Sequence, residues 1–253
     1  MLTKNEIRYY SSLLQKKNRV IENKFIAEGK KLVSEAIESG YNNELVICTN
    51  LFKENNKKFL SSGFFDNRRI EVINNHDFEK LCETKTPQGI AGVFLIKEIK
   101  DAGEISTPIA AALENISDPG NMGAVLRNCD WFGIKNIIIS GGCAEVYSPK
   151  VLRASMGSIF HLNIYEAGGF INYLINLQLK KYSIITADLK GENLYKFEKR
   201  KKNVIVFCNE ANGPTRELIE ISDSLINIPR KGKAESLNVA SASAVILSEL
   251  TKQ

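Results

Sequence analysis

Three glycine-containing loops carry most of the polar side chains that could do chemistry in this 253-residue chain. The first, NISDPGNMGAVLRNCDWFG over 115–133, follows an apolar stretch. Pro119-Gly120 forces a turn there, Asn121 has the side-chain oxygen to cap the next helix, and Gly123 lets a ligand approach its first turn. Arg127 lies six residues beyond Asn121, about 9 Å along a helix axis, so its long side chain can reach back to the loop. The second loop, FCNEANGPTRE over 207–217, places Glu210 at a strand's carboxyl edge beside freely turning backbone at Gly213. The third, NIPRKGKAESLNVASASA over 227–244, breaks a strand at Pro229, passes through a basic segment, and re-enters a helix near Ser236, with Glu235 and Asn238 crowding its start. A guanidinium, a carboxylate and carboxamides at strand ends are groups that hold and orient a ligand. With only His76 and His161, and five cysteines (Cys48, Cys82, Cys129, Cys143, Cys208) lacking CxxC spacing, histidine-based catalysis and metal binding have little material.

Each loop also has a plainer reading. The first is a well-formed strand-to-helix connection with a surface arginine, and the second a turn whose Thr215 caps the next helix. The third is a capped helix with a small-residue packing face at Ala240, Ala242 and Ala244. That accounts for the alanines but not for Asn238, a poor residue inside a first turn without a task.

The elements around the loops alternate. The front of the chain predicts a helix over 4–16, a strand at KFIAEG, a helix over KKLVSEAIES closed by Gly40, a strand at ELVICT, a helix near 51–60 and a strand at RIEVI. A helix HDFEKLCET capped by Asn75 or His76 and a strand GIAGVFLI complete it. Residues 97–107, charged and without apolar periodicity, mark a linker, placed at 98–107 between domains 1–97 and 108–253. Beyond it come strands at PIAAALEN, KNIIIS, LNIYE, SIITAD, NVIVFCNE and LINIPR, with helices over 121–133, 148–160, 170–181, 215–222 and 236–250. Near-continuous apolar strands such as NIIIS and NVIVF imply an α/β fold with a parallel sheet covered on both faces. Ligands of such sheets bind outside the strands' carboxyl ends, where the three loops leave.

Composition narrows the class. Hydrophobic residues are 43% and charged residues 25%, with no apolar run near the roughly 18 residues that cross a bilayer, so a membrane-spanning protein is excluded. The N-terminus does not read as a secretory signal, and scattered odd cysteines suit buried thiols in a reducing, cytoplasmic setting. The net charge of +5 is uneven: residues 1–100 hold 17 basic and 13 acidic side chains, a +4 excess that suits a phosphate-rich partner. The run KFEKRKKN at 196–203 reads as a solvated loop.

Taken together, DPGNMGAVLRNCDWFG, NEANG and IPRKGKAESLNVASASA, with SPKVLRASMGSIFHLNI between them, resemble the SpoU/TrmH family of RNA ribose 2'-O-methyltransferases of the SPOUT superfamily. The likeness runs over roughly 108–250. The preceding part, including FIAEGKKLVSEAI and LCETKTPQGIAGVF, is similar to the ribosomal-protein-like α/β substrate-binding domain that many members carry in front. The resemblance implies a trefoil-knotted C-terminal domain, which general topology rules would not supply. It also implies S-adenosyl-L-methionine as cofactor, an obligate homodimer with the active site near its interface, RNA as partner (ribosomal RNA favoured, transfer RNA possible) and no metal.

The family's functional positions fall on Arg127 as the catalytic arginine, on Asn121, Glu210, Ser236 and Asn238 as further catalytic positions, and on the main chain at Cys208, Ile228 and Leu237 for the cofactor. Arg153 and Ser155 are candidate RNA-phosphate contacts, and Arg230, a departure from the family pattern, adds a phosphate contact. Cys208 stands where the family usually has glycine, and Arg230 where it often has methionine. Ribose methylation needs an oxygen placed in line with a sulfonium methyl, and orientation supplies roughly 7–11 kcal/mol of such a barrier. The resemblance implies that Arg127 accepts the hydroxyl proton, but a guanidinium is seldom deprotonated, so stabilising the forming alkoxide and gripping the adjacent phosphate is an equally economical role. The resemblance sets Glu210 to hold Arg127 or the ribose. The competing class is a non-catalytic RNA-binding protein that keeps the fold; a classical Rossmann methyltransferase lacks its GxGxG turn here.

Overall fold

The computed structural model describes residues 2–97, 105–209 and 211–252. Residues 98–104 of the expected linker lie outside them. The chain divides into two compact units, the first made of the front of the chain to residue 98 together with 145–160, the second of the remainder.

The first unit is built on a four-stranded sheet of β1 (Lys24–Glu28), β2 (Asn43–Thr49), β3 (Ile70–Ile73) and β4 (Ile90–Leu95), in the order β1-β4-β2-β3. β4 runs antiparallel to β1 and β2, and β2 parallel to β3. Phe25, Ile26 and Ala27 are all buried, so β1 is covered on both faces, because successive side chains point to opposite sides. Ile26, Leu45, Ile47 and Val93 pack under α1 (Lys4–Ser12) and α6 (Asn75–Glu79) through Ile7, Tyr10 and Phe78, with Leu81 just beyond α6. On the other face Phe25 stacks on Tyr147, ring centroids 4.8 Å apart, and on Phe160 at 6.0 Å. The segment 145–160, expected within the second domain, therefore completes the first unit's core. Its helix, α8 (Pro149–Ser155), is capped by Ser148 and stops at Met156, whose φ of 54° is left-handed.

Two front helices differ from expectation. The 4–16 helix stops at Ser12, and α2 (Lys16–Glu22) follows it. Buried Arg19 in α2 pairs with Glu145 and donates to the Leu13 carbonyl at 2.8 Å, which satisfies a charge that would otherwise be costly inside. α6 is capped by Asn74, whose side chain accepts from the Asp77 amide at 2.9 Å. It ends early because the Glu28 carboxylate takes the Glu83 amide at 2.7 Å and the Thr84 hydroxyl at 2.8 Å, pulling that stretch out of the helix.

The second unit is a six-stranded, wholly parallel sheet. Its strands are β5 (Ile109–Glu114), β6 (Asn136–Ser140), β7 (Asn163–Ala167), β8 (Ser183–Asn193), β9 (Asn203–Cys208) and β10 (Ser224–Asn227), in the order β10-β8-β9-β5-β6-β7. This is the covered parallel sheet that the apolar strands imply. One face, with Ala110, Ala112, Ile138, Ile184, Val204 and Val206, packs against α9 (Phe170–Leu179) and α10 (Arg216–Ile221). On the other side α7 (Pro119–Trp131) and α11 (Val239–Leu250) pack together. The Asn128 amide donates to the Ala240 carbonyl at 2.7 Å and to the Ser243 hydroxyl at 2.9 Å, so the small residues of α11 admit a close helix pair within the chain. Lys199, from the run read as a solvated loop, donates to the carbonyls of Leu250 and Lys252 and closes the carboxyl end of α11.

Candidate active site

β5 and β9 are neighbours in register from Ile109↔Asn203 to Glu114↔Cys208, so the first two loops leave the sheet side by side. Asp118 caps α7: its carboxylate accepts from the Asn121 amide at 2.8 Å, with Pro119 in the first turn. The cap expected of Asn121 therefore belongs to Asp118, three residues earlier, and Asn121 sits inside the first turn with its side chain turned outward. There its Oδ1 accepts from Asn238 Nδ2 at 2.9 Å, which fastens the third loop to the first.

Asn238 has two tasks. It is the residue before α11 rather than within its first turn, and its Oδ1 accepts from the Ala240 amide at 3.0 Å. The helix expected from Ser236 thus begins at Val239, and a residue type unsuited to helix interiors stands at the position that favours it.

The second loop is fastened to the first by a residue that the sequence reading missed. Glu114, last in β5 and only 4% exposed, accepts from the Thr215 amide at 3.0 Å and from the Thr215 hydroxyl at 2.6 Å. Thr215 in turn caps α10 through the Leu218 amide, as expected. Asn209 adds a bond from Nδ2 to the Asn115 carbonyl at 3.1 Å, and its Oδ1 takes the Ala211 amide at 2.8 Å, turning the chain. Glu210 lies outside the described residues. Cys208 is buried, and burial first, then the neighbouring Glu114 carboxylate, push its thiol up, so it stays a neutral group beneath the loop.

Three loops from three different strand ends are therefore one hydrogen-bonded assembly. Residues 108–248 match the SpoU rRNA Methylase family. The chain belongs to that family. Residues 4–92 match the MRM3-like substrate binding domain. Over 248 residues, 97% of this chain and 95% of the relative, the family member is 29% identical to the 23S rRNA (guanosine(2553)-2'-O)-methyltransferase RlmP of Bacillus subtilis. Its fold matches that of a TrmH-family protein from Porphyromonas gingivalis with a TM-score of 0.87, at 28% identity and 98% coverage of each chain. It also matches the S-adenosylmethionine-bound rRNA methyltransferase of Sinorhizobium meliloti with a TM-score of 0.82, at 28% identity, covering 98% of this chain and 95% of that one.

The remaining expected site residues of this SpoU-family chain fall into three groups. Arg127 is exposed on α7 and makes no ion pair among the described residues. Ser236, Leu237 and Arg230 line the exposed third loop, and Arg230 Nη1 donates to the Ala234 carbonyl at 3.2 Å, which folds the basic segment back on itself. Ile228 is half-buried at its base. Among the described residues the main-chain N–H groups of Ile228 and Leu237 donate to no backbone carbonyl. Leu237 is 48% exposed. Free amides beside an exposed apolar side chain fit a nucleoside, which needs donors at its ring edge and an apolar surface against its face.

Arg153 and Ser155 are not part of this assembly; both belong to the first unit. Ser155 is fully buried and its hydroxyl donates to the Leu152 carbonyl at 2.9 Å, which corrects its expected role as a phosphate contact: no solvent reaches it. Arg153 pairs with Glu83 at 2.8 Å and lies 3.7 Å from Glu28, so its charge holds the 83–84 stretch in place.

Proposed function

We propose that this chain transfers the methyl group of S-adenosylmethionine to a ribose 2'-hydroxyl of ribosomal RNA. The observation that carries the reading is the joining of the three family loops, which leave the carboxyl ends of β5, β9 and β10, through Asn121–Asn238, Glu114–Thr215 and Asn115–Asn209. When bound, S-adenosylmethionine supplies an electrophilic methyl on sulfur. The main chain at Cys208, Ile228 and Leu237 is assigned to hold its adenosyl part, and the Leu237 side chain to cover it. Arg127 grips the RNA phosphate and stabilises negative charge growing on the 2'-oxygen. Asn121 and Asn238, already bonded to each other, keep the first and third loops in fixed register, with Ser236 beside them. Glu210 is assigned to the ribose or to Arg127 on its match to the family motif, and Arg230 to a phosphate. The relative RlmP, named for 23S rRNA, supports ribosomal over transfer RNA. Mapping ribose methylation in ribosomal RNA from cells with and without the gene tests the reading; identical maps would overturn it.

The front module is assigned to dock RNA, supported by its substrate-binding family match and its +4 excess. Because Tyr147 and Phe160 belong to its core, deleting 1–97 would strip apolar partners from the remainder, so surface substitutions test docking more cleanly than truncation.

A trefoil knot in the second unit is supported by the pairing of β10 with β8. The two pair at Ile185–Thr186 and again at Glu192–Asn193, with a shift of register between Leu225 and Ile226. A Cβ on Gly191 would collide with the backbone of Leu225 and Ile226, so the chains pass in close contact there. Cytoplasmic residence is supported by five free cysteines. Among the described residues no helix is long and apolar enough to cross a membrane, and no group of three or more His, Cys, Asp or Glu could hold a metal.

A homodimer is supported by the family and by Trp131, the one tryptophan, which is 80% exposed at the end of α7. The alanine-serine face of α11 is partly spent on α7 through Ser243 and supports it less. Light scattering at micromolar concentration is expected to give about twice 28.3 kDa, and Trp131 emission to shift to the blue as the protein is concentrated. A monomer whose emission does not change would remove the dimer-built site.

A further inference from the structure

Resting on the RNA-docking assignment of the first unit, we infer that a cleft between α4 (Asn50–Asn55), α6 and the turn before β4 binds one unpaired guanine base of the RNA. The cleft holds about 240 Å³, below the roughly 300–1,000 Å³ of sites for drug-sized ligands, so it suits a single planar base. Phe52 and Phe78, both buried, belong to its lining and give an apolar floor. Leu51 stands at its edge 60% exposed, an apolar side chain placed to lie against a ring face.

The polar lining is unusual in type. Asn55, Asn75, Glu79 and Gln88, all exposed, line the same cleft. Gln88 is oriented, because its Oε1 accepts from the Lys30 amide at 3.1 Å, which leaves its NH₂ donors unused. Among the described residues the side chains of Asn55, Asn75 and Glu79 have no hydrogen-bond partner. Sequence-specific RNA recognition reads unstacked bases through such groups at their Watson–Crick edges.

The carboxylate selects the base. It only accepts hydrogen bonds, and guanine alone presents two adjacent donors, N1–H and N2–H, with an acceptor, O6, beside them for the Gln88 amide. Adenine and cytosine would set a ring-nitrogen acceptor against Glu79, and uracil would flank its single donor with two carbonyls. Phosphates adjoining the base have cations nearby. Lys30 Nζ donates to Asn56 Oδ1 at 3.2 Å on the cleft wall, and Lys53 and Lys57, from α4 and α5 (Lys57–Leu60), line a second cleft of about 330 Å³.

The test measures binding of the full chain to short RNA hairpins that differ only in one unpaired loop nucleoside, guanosine, inosine or adenosine, across a salt series. Guanosine is expected to bind about tenfold tighter than adenosine, with inosine, which lacks the N2 amine, between them. Glu79→Gln, and separately Gln88→Ala, should bring guanosine and adenosine to within about twofold, with affinity for the adenosine hairpin little changed. Lys53→Ala with Lys57→Ala should instead weaken all three hairpins alike and flatten the salt dependence. Equal, salt-dependent binding of the three hairpins by the unaltered protein, or a guanosine preference that survives both Glu79→Gln and Gln88→Ala, overturns the base site while leaving RNA docking intact. Absence of salt-dependent binding to any hairpin overturns the docking assignment and the base site with it.

Discussion

Replacing Arg127 by alanine is expected to slow single-turnover methylation by roughly 10²–10³-fold, the usual consequence of removing a preorganised group aimed at charge that develops in the transition state. Arg127 is exposed on α7 and holds no ion pair among the described residues, so the change removes none of their ion pairs and the unfolding temperature should stay where it was. S-adenosylmethionine affinity should also persist, because the groups assigned to it are main-chain amides of the second and third loops. Arg127→Lys should recover little, since an ammonium cannot reproduce the planar fork that grips a phosphate with two parallel bonds. Rapid-mixing methylation with saturating RNA, paired with calorimetric titration of S-adenosylmethionine on the same two variants, reads both quantities. Near-normal methylation by Arg127→Ala would defeat the assigned role, and lost cofactor binding would make the arginine a structural residue.

Local chemistry made the three loops legible, and only three-dimensional pairing made the rest of the site visible. Strand ends, Pro-Gly turns and cap-type residues are read from neighbours in the chain, and they marked the three loops and the cap at Thr215. The same rules misplace one cap and one helix start near the site, because Asp118 and Asn121 are both good capping types three residues apart, as are Ser236 and Asn238 two apart. Nothing local distinguishes which of two such residues stops outside the helix. Glu114 escaped for a different reason. It closes the run IAAALE, where a carboxylate reads as the polar end of a strand, and the partner that makes its burial tolerable is Thr215, 101 residues away. Segment 145–160 shows the same limit at the scale of a domain. Its helix start is legible at Ser148, but the helix expected to run to 160 stops at Met156, and that Tyr147 and Phe160 complete the core around Phe25 is a fact of packing that periodicity does not carry. Likewise α2 lies beyond the single helix expected over 4–16, and the pairing of Arg19 with Glu145 that ties it down is not visible in the sequence.

Glu114→Ala tests the view that the buried carboxylate holds the site's second loop in place. The substitution removes the acceptor for both the amide and the hydroxyl of Thr215 and leaves those donors inside the protein without partners. Hydrogen bonds to a charged group contribute about 1.5–3 kcal/mol each, and stranded donors add their own desolvation cost, so a loss of about 3 kcal/mol in unfolding free energy is expected. Glu114→Gln keeps the volume but turns an NH₂ toward one of two donors, so it should recover only part of the loss. The effect on function runs opposite to that of Arg127→Ala. With Thr215 released, the turn from Asn209 to α10 loses its anchor, and the main chain at Cys208, which that turn continues, loses its fixed position. S-adenosylmethionine affinity should therefore fall at temperatures where the variant is still folded, before any change in the chemical step is resolved. Chemical denaturation gives the stability change, and cofactor titration well below the unfolding midpoint separates it from a site effect. Unaltered affinity in a measurably destabilised Glu114→Ala protein would show that the carboxylate serves the fold alone and that the cofactor loop is held by something else.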